Sequence, residues 1–296
     1  MNNLRGIFLV ILSMAFFSLE DMFIKRMTET IPTGQVMATL GLGGALVFGL
    51  LAARQGQRLF GPATIRNGAL ALRTLSEGFA ALFFITSLSL VPISTVSAVF
   101  QATPLAITLG AAVFLGEQVG WRRWSAILLG FVGVLIIIRP GMTGFQPASL
   151  FVLGAVVAIA TRDLTSRRLP QAMSSTVVSF YGFAAIGVAG LPLLLITGAT
   201  PQAMTLVDVG QMACALVFGV LGYYAIVSAT RMGDAAAVTP FRYTRLIFSI
   251  ALGMLVFGER PDLLTYVGSA LIIITGLYTF LRERRAAARL VPMLDE

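Results

Sequence analysis

Residues 89–117 read SLVPISTVSAVFQATPLAITLGAAVFLGE. From Ser89 to Gly116 no acidic or basic side chain interrupts the stretch. A Val91-Pro92 turn opens it and a Gly116-Glu117 corner closes it. The run between, 93–115, is long enough to cross about 30 Å of hydrocarbon as a helix. A buried strand would need only about a third of that length. The stretch therefore predicts a membrane-spanning helix.

Nine further apolar runs of similar length lie on either side of it: 5–25, 33–53, 67–89, 122–139, 147–166, 173–196, 207–230, 235–257 and 262–281. Short Pro- or Gly-bearing connections separate them, at Pro32, Gly56, Pro92, Gly120, Pro140-Gly141, Pro170, Pro201 and Pro261. The composition agrees. The chain is 57% hydrophobic and 11% charged, with mean hydropathy +0.89. A soluble domain carries about 25% charged residues. Outer-membrane strands would alternate over about ten residues, so a porin-type barrel is excluded. The expected fold is all-α, a single membrane domain over 1–296 with ten transmembrane helices. The first run follows Met1–Arg5 and continues to Phe23 without a small-residue cleavage site, so it reads as a retained span.

The formal net charge is +8. The 21 basic residues are scattered between apolar runs, as membrane topology requires, so no nucleic-acid partner is expected. Four of them (Arg73, Arg162, Arg242, Arg245) fall within runs. Four (Lys25, Arg26, Arg139, Arg260) fall on one side, and the remaining thirteen on the other. That bias predicts both termini in the cytoplasm of a bacterial-type inner membrane. The chain has no histidine and one cysteine, Cys214, which reads as a small packing residue. No metal site, resident cofactor, internal disulfide or phosphate-binding loop can be assembled, so no enzyme activity is expected. Concentrative transport would need an ion gradient or exchange, with a proton or a counter-substrate as coupling partner. The chain reads as a monomer or homodimer in a lipid bilayer.

The sequence also repeats. Leu115-Gly116-Glu117 closes the fourth run and Phe257-Gly258-Glu259 the ninth. Each is followed by a glycine-bearing apolar run, with Gly130 and Gly133 in one and Gly268 and Gly276 in the other. Two five-span halves result, 1–142 and 143–286, with 287–296 left as a cytoplasmic tail. Five is odd, so the halves insert with opposite orientation, and inverted repeats suit alternating access. The two Gly-Glu corners, the block 89–117 and the downstream GFVGVLIIIRPG (130–141) resemble the drug/metabolite transporter superfamily, in its ten-helix EamA-type branch. The resemblance covers the whole chain. It implies a central cavity, chiefly from the third, fourth, eighth and ninth spans, and movement of small organic solutes. That family includes amino-acid exporters and importers of riboflavin and S-adenosylmethionine.

Within the ninth run, Pro240-Phe241-Arg242-Tyr243-Thr244-Arg245 places two arginines in an apolar segment. Each costs about 2.5–3.5 kcal/mol at the centre of a span on insertion scales. Three residues apart, Arg242 and Arg245 would share a helix face, with a break at Pro240. They are candidates to bind a carboxylate, since a guanidinium suits bidentate pairing. Glu77 and Arg73, four apart in the third run, are candidates to pair with each other or to couple a proton or substrate. Gln101 and Thr103 offer hydrogen bonds. Phe100, Tyr223 and Tyr243 offer an aromatic wall, with Tyr224 and Phe241 beside them. Glu20, Asp21, Asp163 and Asp234 are further acids, and Arg162 near a span end is expected to snorkel. Glu117 and Glu259 read as helix-terminus carboxylates that satisfy free N–H groups.

An exporter or exchanger of amino acids or similar zwitterionic solutes is the leading expectation, because two arginines and an in-membrane Glu suit a molecule with both charges. Uptake of a vitamin or cofactor such as riboflavin or S-adenosylmethionine is the alternative. A channel and a lipid enzyme are the remaining classes, and the latter lacks a catalytic constellation.

Overall fold

The computed structural model describes residues 2–117, 119–142, 144–170, 172–232 and 239–290, with side chains for these except 2, 3, 63, 227, 228, 230–232, 239 and 283–290. Among the described residues there is helix and no strand. The helices are α1 (Asn2–Met27), α2 (Thr33–Arg54), α3 (Pro62–Ile65), α4 (Gly68–Leu90), α5 (Ile93–Phe100), α6 (Thr103–Phe114), α7 (Trp121–Ile138), α8 (Leu150–Ser166), α9 (Ser175–Thr197), α10 (Leu206–Met232), α11 (Thr244–Phe257) and α12 (Leu263–Leu290). Ten segments are long and apolar enough to cross a membrane. Their ends fall close to the expected runs wherever both are described. Asp234 and positions 235–238 of the ninth run lie outside the described residues.

Two spans are interrupted. The fourth consists of α5 and α6, joined at Gln101-Ala102 ahead of Pro104. The described part of the ninth starts with a 3-10 turn, Thr239–Tyr243, before α11. Each interruption contains or adjoins a proline, which has no N–H to give an α-helical ladder. Both interrupted spans end alike. Gly116 has φ +68° and Gly258 φ +63°, a left-handed conformation that glycine adopts without Cβ strain. Glu117 N then donates to Ala111 O at 3.2 Å, and Glu259 N to Gly253 O at 2.9 Å.

The chain forms two compact units that do not coincide with its sequence halves. One comprises Glu20–Val91 and Ala148–Val217. In it α2 packs along α9, and α4 along α8 and α9. Small residues set the α2–α9 spacing: a Cβ on Gly41 would lie 2.0 Å from Gly187 N, and one on Gly34 2.6 Å from Gly190 O. Such close backbone approach is the usual way that membrane helices associate. Lys25 Nζ donates to Leu88 O at 2.9 Å and Val91 O at 2.7 Å, closing the C-terminus of α4.

The second unit comprises Met1–Leu19, Pro92–Pro147 and Phe218–Glu296. Here α7 packs on α12, with Gly133 against Gly268, and α5 packs on α11. Ser13 Oγ donates to Gly222 O at 2.7 Å, and Val10, Met14 and Ala229 form a buried cluster with Phe17, Phe241 and Phe248. Large side chains such as Phe114, Leu255 and Leu263 are exposed, as lipid-facing positions require.

Candidate functional site

In the unit that holds the interrupted spans, Arg245 is the second residue of α11. Its guanidinium lies over two phenyl rings, 5.3 Å from the centroid of Phe100 and 5.5 Å from that of Phe17. Guanidinium–ring contacts of this kind contribute about 0.5–2 kcal/mol, more when desolvated. Phe100 closes α5, so the break in the fourth span presents the ring. Phe17 comes from α1 and is missing from the sequence-based candidates, because an aromatic in an apolar first span carries no signal of its own.

Arg242 precedes Arg245 by three residues but is exposed, while Arg245 is half-buried. The 3-10 turn ends at Tyr243, so the two do not belong to one regular α-helix, as the sequence suggested. Between them Tyr243 is buried, and Gln101 Nε2 donates to its main-chain carbonyl at 3.2 Å. Thr103 Oγ1 donates to Phe100 O at 2.6 Å, so this hydroxyl serves its own turn. Phe241 packs against the Val10–Met14–Ala229 cluster. Tyr223 is 38% exposed and Tyr224 72%. The structure thus brings together Arg245, Phe100, Gln101 and Tyr243, and leaves Arg242 on the surface of this unit.

In the other unit the charges are interleaved. Arg73 lies 3.3 Å from Glu77 Oε2, as the spacing of four predicts, and donates to Ser166 Oγ at 3.1 Å. Arg162 does not simply snorkel. It reaches Glu77 Oε1 at 2.9 Å and Asp163 at 2.8 Å, with a side chain only 24% exposed. Two guanidinium groups therefore share one carboxylate. A spacing rule finds pairs within a helix, and the α4–α8 contact was not available to it. Beside this cluster, a cleft of about 460 Å³ is lined by Ser76, Phe79, Phe83, Gly154, Val157 and Thr161, among others.

Glu259 satisfies helix N–H groups, but not those of the helix that follows it. It accepts from Ile93 N at 2.6 Å, Ser94 N at 3.0 Å and Ser94 Oγ at 2.6 Å, at the start of α5. The first turn of α12 is served by Asp262, which accepts from Thr265 N at 2.9 Å and pairs with Arg139. The Arg139 guanidinium holds the Asp262 carboxyl down at about 2, against its ordinary value near 3.8. Among the described residues no group of His, Cys, Asp and Glu side chains could hold a metal ion.

The two matching corners, the two interrupted spans and the ten membrane-spanning segments point to one fold built twice. Residues 4–139 match the EamA-like transporter family, and residues 146–281 match it again. This chain is a member of the EamA-like transporter family. It has the two-repeat membrane fold of that family, and it is a multi-pass inner-membrane protein that transports a small molecule. An S-adenosylmethionine uptake transporter of Rickettsia conorii is 28% identical over 74% of this chain and 73% of its own length. A riboflavin transporter of Vibrio cholerae is 32% identical over 67% of this chain and 66% of its own. A pseudopaline exporter of Pseudomonas aeruginosa is 24% identical over 91% of this chain and 93% of its own. The two EamA matches are offset by 142 residues, the same interval that separates Gln101 from Tyr243.

Proposed function

We propose that this EamA transporter moves a small organic solute with a carboxylate or zwitterionic head by alternating access, as an exporter or exchanger of amino acids or similar molecules. The observation that carries the reading is Arg245, a guanidinium held against Phe17 and Phe100 beside the break in the ninth span. Aromatic faces orient the guanidinium plane, and a guanidinium is the side chain whose geometry suits bidentate pairing with a carboxylate. Gln101, Thr103 and Tyr243 surround the same break, and Arg242 adds positive charge nearby. Glu77 and Arg73 are assigned a coupling role, with a proton or a counter-substrate as the driving partner. Both termini lie in the cytoplasm in this reading.

Uptake of S-adenosylmethionine is the second reading, favoured by the Rickettsia relative. That molecule carries an amino-acid head, so it suits the same arginine. Riboflavin, which the Vibrio relative transports, carries none.

The test is uptake and counterflow in proteoliposomes with labelled amino acids, S-adenosylmethionine and riboflavin. Arg245→Ala should lower flux of an aminocarboxylate solute by at least about tenfold, the equivalent of 1.4 kcal/mol. The double variant Arg242→Ala/Arg245→Ala should abolish it with the protein still inserted. Wild-type flux from the double variant sinks the proposal. Flux of riboflavin alone, indifferent to Arg245, replaces it with the vitamin reading.

A further inference from the structure

The ring of Tyr243 ends against α12 at Gly276. A Cβ built on Gly276 would lie 1.8 Å from the Tyr243 hydroxyl oxygen and 2.9 Å from Cζ. No side chain could occupy that position without moving the ring. Tyr243 is buried, and its hydroxyl has no hydrogen-bond partner among the described residues. The ring is a rigid plate that moves as a unit about two torsions, and close-packed surroundings give it little room to turn. The other end of the residue is held as well, since Gln101 donates to its carbonyl. Tyr243 is thus fixed at two points, through its main chain by the residue that follows α5 and through its ring tip by α12. Two residues later the chain places Arg245 over Phe17 and Phe100.

We infer that Gly276 is a positioning residue for the candidate solute site. Its missing side chain forms the slot that seats Tyr243. That seating fixes the 3-10 turn, and the turn sets where the Arg245 guanidinium stands. Gly276 touches no solute, and its effect passes through Tyr243. The inference rests on the reading of Arg245 as a solute contact, but the geometric claim can be measured without any solute.

The sequence contains one cysteine. In a Cys214→Ser background, Arg245→Cys places a single thiol at the position in question. Its rate of modification by methanethiosulfonate ethylammonium reports that position. Adding Gly276→Ala should change the rate by about tenfold. Tyr243→Phe/Gly276→Ala should recover part of the original rate, because Cζ still stands close to the new methyl. Tyr243→Leu/Gly276→Ala should recover most of it, and monodisperse elution of the Gly276→Ala variant itself excludes unfolding as the cause of the changed rate. Equal rates with and without Gly276→Ala overturn the inference. So does a changed rate that Tyr243→Leu fails to correct. Wild-type flux from Arg245→Ala would remove the transport reading and leave the labelling result standing. Equal labelling would remove the Gly276 inference and leave the transport reading standing.

Discussion

The fourth and ninth spans occupy the same place in the two EamA repeats and are interrupted at the same point. Under the 142-residue offset, Phe100 corresponds to Arg242, Gln101 to Tyr243 and Thr103 to Arg245. The backbone devices are shared: a break near proline, then a left-handed glycine, then a glutamate whose N–H closes the helix. The side chains are not. At one position the first repeat has a threonine that bonds its own turn, and the second has an arginine on two phenyl rings. In the third span the inequality runs the other way. Arg73 and Glu77 correspond to Ala215 and Gly219 in the eighth. Repetition fixes the scaffold, and the charges are distributed without regard to it. The first repeat holds Arg73 and Glu77, and the second holds the arginines of the interrupted span.

The sharpest way to break this comparison is to make the interrupted spans alike. Arg245→Thr copies the first repeat into the second and should reduce flux by at least about tenfold. Thr103→Val removes only a hydroxyl that serves its own turn, and should cost about 1 kcal/mol of stability or less with flux within about twofold of wild type. Equal losses from the two changes would mean that the repeats divide the chemistry evenly. Next in size is the charge cluster. Glu77→Gln leaves two guanidinium groups sharing a neutral amide, and removing one partner of a buried ion pair costs about 3–5 kcal/mol. Arg73, Glu77 and Arg162 are partly exposed, so the thermal stability in detergent should fall at the lower end of that range. Retained flux with unchanged pH dependence would make the cluster purely structural.

The smallest effect lies at the corner after the ninth span. Asp262 pairs with Arg139 and corresponds to Gly120 in the first repeat, a position with no side chain to pair. Its folded carboxyl sits at about 2 and its ordinary value is 3.8. A depressed carboxyl contributes stability that is present above the ordinary value and lost as pH falls through the folded one. Asp262→Asn should therefore lower the melting temperature slightly at pH 6, by the equivalent of less than about 1 kcal/mol because Asp262 is half-exposed. The difference from wild type should shrink between pH 4 and pH 2. A difference independent of pH would show that the pairing with Arg139 contributes nothing.

The spans and the repeat were legible because length and apolarity carry them. A run such as 93–115 needs no partner to be recognised, and two Gly-Glu corners at matching positions announce duplication. The Arg73–Glu77 pair was legible for the same reason, as a spacing within one helix. Phe17 and the reach of Arg162 to Glu77 were not, because each joins helices far apart in sequence. Glu259 shows the limit clearly. Its type of role, a carboxylate at a helix N-terminus, followed from chemistry. That the helix is α5, more than 160 residues earlier, required the packing of α5 on α11. The compact units also cut across the sequence halves, which no reading of the chain in order would divide in that way.

Gln101 donates to the carbonyl of the residue that fills its own position in the other repeat. Two identical chains related by a twofold axis would bring such a residue against its own copy. Every bond made there would have to be self-complementary, and any bulky side chain would need room twice. Fusing the copies lifts that restriction. One copy keeps an amide that donates, and the other accepts through its main chain, which frees its side chain to enter the slot over Gly276. A single chain can hold this arrangement, and a symmetric pair of half-length chains cannot.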